Sequence, residues 1–198
     1  MRLIGNDGDN VLVGNASDDI ITGGSGADTI TGGAGADAID GGAGADTISL
    51  GAADAATDLV NIVGINAVAD GDTIYEFATT SDEIALTNTA GVANGTDAGA
   101  LVNVAGLGGL TIDDIIADTA ANLALNTAGA LGGGGAEDQS AIFLSGGYAF
   151  ATDTGELYYD PDGNFSVDAV LVATLFSTSI GGADTAVLAV AGDFQFGV

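Results

Sequence analysis

The chain has 198 residues and carries 28 acids, 24 Asp and four Glu, against one base, Arg2, for a formal net charge of −27. That balance excludes nucleic acid as a natural partner, because no basic surface exists to displace phosphate counterions; it disfavours anionic membrane surfaces and favours multivalent cations. With no His, Cys or Lys, Ser-His-Asp and Cys-His catalysis, H-E-x-x-H zinc sites, Walker A loops and Schiff-base lysines all drop out, and no disulfide framework exists.

The remaining composition points to turns. Asp is a poor helix and strand former but a good turn former and a hard oxygen ligand, and 34 Gly residues imply many tight turns. A hydrophobic fraction of 47% with positive mean hydropathy separates the chain from disordered acidic sequences. Carboxylate pairs could serve glycoside hydrolysis, yet among so many acids a pair singles out nothing without a cleft.

The chain begins Met1-Arg2-Leu3-Ile4, which reads as a start without an amino-terminal signal peptide, and enters a repeat at Gly5. No apolar run reaches the ~20 residues of a membrane helix. Five nonapeptides follow: GNDGDNVLV, GNASDDIIT, GGSGADTIT, GGAGADAID and GGAGADTIS. Their first residues are Gly5, Gly14, Gly23, Gly32 and Gly41; their sixth are Asn10, Asp19, Asp28, Asp37 and Asp46; their eighth are Leu12, Ile21, Ile30, Ile39 and Ile48. All fit G-G-x-G-x-D-x-U-x, with drift in the first two. Six residues of Gly, small residues and Asp make a turn with inward carbonyls and one charge. The last three are extended, their aliphatic middle member pointing inward and its neighbours outward. Two nonapeptides make a coil of eighteen residues, so equivalent turns on one edge lie two repeats apart.

The segment Gly5–Ser49 resembles the repeats-in-toxin (RTX, hemolysin-type) β-roll of secreted bacterial proteins. The resemblance implies Ca²⁺ between each turn and the turn two repeats later, about three to five ions in all. It implies carbonyls from the second and fourth residues of the earlier turn, carbonyls from the first and third of the later one, and both sixth-position side chains. Carried over, the first-with-third site uses Asn6, Gly8, Asn10, Gly23, Ser25 and Asp28. The second-with-fourth site uses Asn15, Ser17, Asp19, Gly32, Ala34 and Asp37. The third-with-fifth site uses Gly24, Gly26, Asp28, Gly41, Ala43 and Asp46. Asn10 removes a charge and should weaken the first site. Ser17, in place of the fourth Gly, leaves the second turn either strained or adjusted. A fourth site would use Gly33, Gly35 and Asp37, closed by something near Asp54.

After the repeats, Leu59–Val63 reads as a strand. Asp72-Thr73-Ile74-Tyr75-Glu76-Phe77 and Asp82-Glu83-Ile84-Ala85-Leu86 resemble the hairpin that often follows the last repeats in this family, where it would cap the roll's open edges. Asp72 and Asp82 are capping-turn residues on one reading and ligands of a further ion on the other. Residues 88–109 read mostly as loop, with a short strand at Leu101–Val104. Residues 111–126 read as a helix: Thr111 as N-cap, Asp113 and Asp114 in the first turn, and Ile112, Ile115, Ile116 and Leu123 on one face.

Residues 141–198 read as β-structure, with strands at Ala141–Leu144, Tyr148–Thr152, Glu156–Asp160, Ala169–Phe176 and Thr185–Ala191. Asp160–Asn164 hints at a calcium loop, but an EF-hand register puts Tyr158 and Ala169 at chelating positions, so Pro-Asp-Gly reads as a hairpin turn. Gly155, Leu157, Tyr159, Asp160, Asp162, Gly163, the run Val170–Leu175 and the tail Asp193–Phe196 resemble the carboxy-terminal region of type I-secreted proteins, which implies an uncleaved export signal.

The expectation is an all-β chain: a right-handed parallel β-roll over 1–50, a roll cap with irregular strands over 51–110, and a helix plus antiparallel strands over 111–198. The expected function is non-enzymatic. It is a secreted, calcium-binding structural protein that folds on Ca²⁺ outside the bacterial cell, where it self-assembles into a surface layer, filament or matrix. A monomeric folding, export or binding module, as the tail of a larger secreted enzyme or toxin, is the alternative. A third option is a carbohydrate-binding adhesin using Tyr148, Tyr158 and Tyr159. The expected partners are Ca²⁺, further copies of the chain and the type I secretion apparatus.

Overall fold

A computed structural model describes residues 1–51, 55–62, 71–86, 96–97, 100–103, 114–118, 147–151, 154–160, 170–187 and 193–196. The repeats form short parallel strands: β1 (Arg2–Ile4), β2 (Val11–Val13), β3 (Ile20–Ser25), β4 (Thr29–Thr31), β5 (Ala38–Ala43) and β6 (Thr47–Ser49). Successive strands alternate between two sheets, so β1 pairs with β3 and β3 with β5, while β2 pairs with β4 and β4 with β6. A nine-residue unit of turn plus strand forces this. The turn carries the chain from one sheet to the other, and the next returns it eighteen residues on.

Alternation along each strand sets what is buried. The eighth-position residues Ile21, Ile30, Ile39 and Ile48 are buried, while their neighbours Ile20, Thr29 and Ala38 lie on the outside. In-register stacking makes two aliphatic columns in one core, Leu3–Ile21–Ile39–Val60–Ile84–Phe194 from one sheet and Leu12–Ile30–Ile48–Ile74–Leu175 from the other. Leu3 and Leu12, in the first coil, are covered from one side and only partly buried.

The roll continues past the repeats. Strand β7 (Leu59–Ile62) adds to β5, β8 (Asp72–Tyr75) to β6, and β9 (Glu83–Leu86) to β7, all parallel. This corrects the hairpin expected over 72–86: β8 and β9 lie in different sheets. Their inward residues Ile74 and Ile84 find cover in the existing columns, which a separate hairpin would not supply.

Carboxy-terminal segments complete both sheets. Strands β13 (Gly147–Ala151), β14 (Glu156–Asp160) and β15 (Val170–Leu175) form an antiparallel meander, as expected, and β15 joins β8 in parallel. Strand β16 (Phe194–Phe196), not anticipated as a strand, joins β9 in parallel and pairs with β10 (Thr96–Asp97). At the far end β11 (Ala100–Asn103) and β12 (Asp114–Asp118) continue from β13. The final orders are β1-β3-β5-β7-β9-β16-β10 and β11-β12-β13-β14-β15-β8-β6-β4-β2.

The expected helix over 111–126 is therefore corrected at 114–118, which is strand β12 paired on both sides. Adjacent β-branched Ile115 and Ile116 lose little in an extended chain, and two flanking strands supply the hydrogen bonds a helix would have made internally. Among the described residues there is no α-helix, and no helix is long and apolar enough to cross a membrane. Ala141–Leu144, Pro161–Asn164 and most of 185–191 fall outside the described residues; Ala186 makes an isolated bridge to Phe176.

Candidate metal centre

Each turn stacks on the turn two repeats later at distances only glycine permits. A Cβ on Gly23 would lie 2.3 Å from the Gly41 carbonyl oxygen, and one on Gly24 would lie 2.5 Å from that of Asn6. In the third, fourth and fifth turns the second and fourth residues are Gly at positive φ, as at Gly24 (+120°) and Gly26 (+111°). The first two turns are built differently. Asn6, Gly8, Asn15 and Ser17 all keep ordinary φ, so Ser17 is accommodated by an adjusted backbone and not by strain.

The expected ligand positions come together pairwise. Turn one lies against turn three, with Ser25 N–H donating to Asn6 C=O (3.1 Å). Turn two lies against turn four, with Ala34 N–H donating to Asn15 C=O (2.9 Å). Turn three lies against turn five, with Gly26 N–H donating to Ala43 C=O (2.9 Å). Thus Gly23, Gly24, Ser25 and Gly26 meet the turns of Asn6 and Gly8 on one side and of Gly41 and Ala43 on the other, while Asn15 and Ser17 meet Gly32 and Ala34. The carbonyls of Asn6, Asn15 and Ala43 each accept one of these bonds and keep a second lone pair.

The sixth-position side chains form two ladders. On one edge Asn10 N–H donates to Asp28 Oδ1 (2.7 Å), Asp28 N–H to Asp46 Oδ1 (2.8 Å), and Asp46 N–H to Asp72 Oδ1 (3.0 Å). On the other, Asp19 N–H donates to Asp37 Oδ1 (2.8 Å), Asp37 N–H to Asp58 Oδ1 (2.9 Å), and Asp58 N–H to Asp82 Oδ1 (3.3 Å). Asp58, Asp72 and Asp82 stand where sequence spacing gave no repeat, because the steps lengthen from 18 to 21, 24 and 26 residues. The signal that finds them is local: Asp two residues before an inward aliphatic, as in Asp58/Val60, Asp72/Ile74 and Asp82/Ile84. Asp54, suggested for a fourth site, lies outside the described residues, and the ladder at that edge passes through Asp58.

Within a turn the same side chain closes the loop. Asn6 N–H donates to Asn10 Oδ1 and Asn15 N–H to Asp19 Oδ2, both 2.7 Å; Ala78 N–H reaches Asp82 Oδ2 at 2.8 Å in like manner. Asn10 therefore reproduces the geometry of Asp without its charge. The Met1 amine also bonds to Asp19 Oδ1, and this contact, together with the Asn15 N–H, holds the Asp19 carboxyl below the usual carboxylate range.

Asp19, Asp28, Asp37 and Asp46 are each 1–2% exposed. Asp28 Oδ2 is buried and makes no hydrogen bond. A buried carboxylate oxygen left this way costs stability unless a cation neutralises it. Among the described residues no three Asp or Glu side chains converge, so a cation here would draw one carboxylate per turn and fill its shell with backbone carbonyls. Hard oxygens of mixed charge in a glycine turn suit Ca²⁺, and the residues fit it.

Elsewhere, Tyr159 is buried in the core. Tyr158 donates to Glu156 Oε2 (3.0 Å), and burial, with this bond, pushes its pKa up to about 12.

A family model agrees with this geometry over the repeats. The family model for the RTX calcium-binding nonapeptide repeat matches residues 2–30 and 22–54, and those residues form a calcium-binding β-roll of that type. One similar solved structure is the solution structure of the AlgE6R3 subunit from the Azotobacter vinelandii mannuronan C5-epimerase, at 20% identity and a TM-score of 0.42, covering 92% of this chain and 86% of that one. Among curated proteins, none matches.

Proposed function

We propose that this calcium-binding β-roll protein is secreted, folds on Ca²⁺ outside the cell and self-associates there as a structural component. The observation that carries the calcium switch is the stacked turn with its buried sixth-position carboxylates, Asp28 Oδ2 above all. Without a cation these charges oppose the fold; with one they bridge coils, so binding energy becomes folding energy. The ions sit between first and third, second and fourth, and third and fifth turns, on the ligands named from the sequence. Extracellular modules bind Ca²⁺ at about 10⁻⁴–10⁻³ M, which leaves the chain loose inside a bacterium and folded outside, after passage through a type I apparatus.

Self-association is supported by the first coil. Strands β1 and β2 are the outermost strands of their sheets, and Ile4, Val11, Val13 and Ile20 beside them are 55–76% exposed. Unpaired parallel edges flanked by apolar side chains template further strands. The net charge of −27 favours the second reading, a monomeric folding, export or binding module, wherever cations do not neutralise it.

Light scattering with circular dichroism, as calcium is titrated into chelator-treated protein, separates the two. A disordered chain that becomes β-rich and then grows into large particles supports self-association. One that folds and stays monomeric moves the function to the module. A chain fully folded in chelator refutes the switch.

A further inference from the structure

Glu76 follows β8 at φ +65°, in the left-handed region that favours Gly or Asn over a longer side chain. Its carboxylate is fully engaged. Oε2 accepts from Ser49 Oγ (2.5 Å) and Gly51 N–H (3.2 Å), and Oε1 accepts from Ser179 Oγ (2.6 Å). These donors come from three places: the end of the fifth nonapeptide, the turn after it, and the segment after β15, 103 residues away. The backbone is joined at the same point, with Glu76 N–H donating to Thr178 C=O (3.2 Å), Phe77 N–H to Phe176 C=O (3.1 Å) and Phe176 N–H to Ile74 C=O (2.8 Å). Tyr75 packs on Phe176 with ring centroids 5.5 Å apart.

A Glu in a glycine-like conformation carries a backbone cost, and the three hydrogen bonds its carboxylate accepts offset it. We infer that Glu76 is a latch: it positions residues 176–187 on the roll only once Ser49 and Gly51 are in place, so that docking of this carboxy-terminal segment reports completion of the fifth repeat. The inference rests on the calcium-folding reading above. It assigns the segment a conditional attachment to the coil formed by β6 and β8.

Hydrogen exchange by mass spectrometry on the full chain, with calcium and with chelator, tests it through Glu76→Gly and Ser179→Ala. Glycine relieves the positive φ, so a residue that merely makes the turn leaves 176–187 as well protected or better. A latch predicts the reverse. Protection of 176–187 in calcium falls about tenfold or more, the scale of a lost hydrogen bond to a charged group, while 20–49 stays protected. Ser179→Ala lowers the same segment by less. Unchanged or improved protection of 176–187 in Glu76→Gly overturns the latch, and so does equal loss across 20–49 and 176–187. If 5–49 in the unsubstituted chain gains no protection on adding calcium, it is the calcium-folding reading that fails.

Discussion

Asp28 is the position where one substitution separates charge from shape. It belongs to both proposed sites on its edge, it is 1% exposed, its Oδ1 takes the Asn10 N–H, and its Oδ2 has no hydrogen-bond partner. Asp28→Asn keeps a side-chain oxygen for the Asn10 N–H, and Asn10 itself shows that Asn closes such a turn (Asn6 N–H to Asn10 Oδ1, 2.7 Å). The fold's hydrogen bonds therefore survive while one negative charge disappears from the shared ligand. A charge-assisted contact contributes about 1.5–3 kcal/mol, so each ion touching Asp28 should lose on that scale, roughly ten- to a hundredfold in affinity. Circular dichroism during a calcium titration should show a higher midpoint for Asp28→Asn, with the calcium-saturated spectrum unchanged. Asn10→Asp should move the midpoint the other way. An Asp28→Asn chain that folds at the same calcium concentration as the parent would refute the assignment of Asp28 as a ligand.

Three further outcomes follow from the geometry. Ile48→Ala, at a fully buried position in the Leu12–Leu175 column, should cost about 2–5 kcal/mol, read as a lower denaturation midpoint in saturating calcium. Gly24→Ala combines φ +120° with a Cβ 2.5 Å from the Asn6 carbonyl, and should abolish calcium-induced folding of the first coils, measured by hydrogen exchange over 5–31. Ser179 and Ser49 hold the Glu76 carboxyl below its unfolded value of 4.5. The stabilisation is thus present above that value and lost as pH falls through the lower folded one, so acid should release 176–187, read by exchange at saturating calcium.

What could be read from residues alone ended where the spacing ended. Through Ser49 each nonapeptide carries its own instructions: Gly where the backbone must approach its neighbour, Asp (Asn10 in the first) at the sixth position, and an aliphatic two residues later to enter the column. Past Ser49 the steps become 21, 24 and 26 residues, and no fixed period reveals that Asp58, Asp72 and Asp82 hold the same place. The Asp72–Phe77 and Asp82–Leu86 motifs were visible, but their separation into two sheets was not, since a hairpin and a roll coil share the same local alternation.

The sequence by itself determined the repeat, the inward aliphatics, the edge on which each turn lies and the oxygen-rich chemistry of the turns, because these depend on residues within one unit and on a constant eighteen-residue return. Only the tertiary structure decided that Asp114–Asp118 is a strand, that β15 and β16 complete the roll's sheets, and that Glu76 meets a serine 103 residues distant. Those outcomes rest on pairing between distant segments, where the free edge of β8 or β9 selects its partner and local propensity is outvoted by the hydrogen bonds and burial the partner supplies.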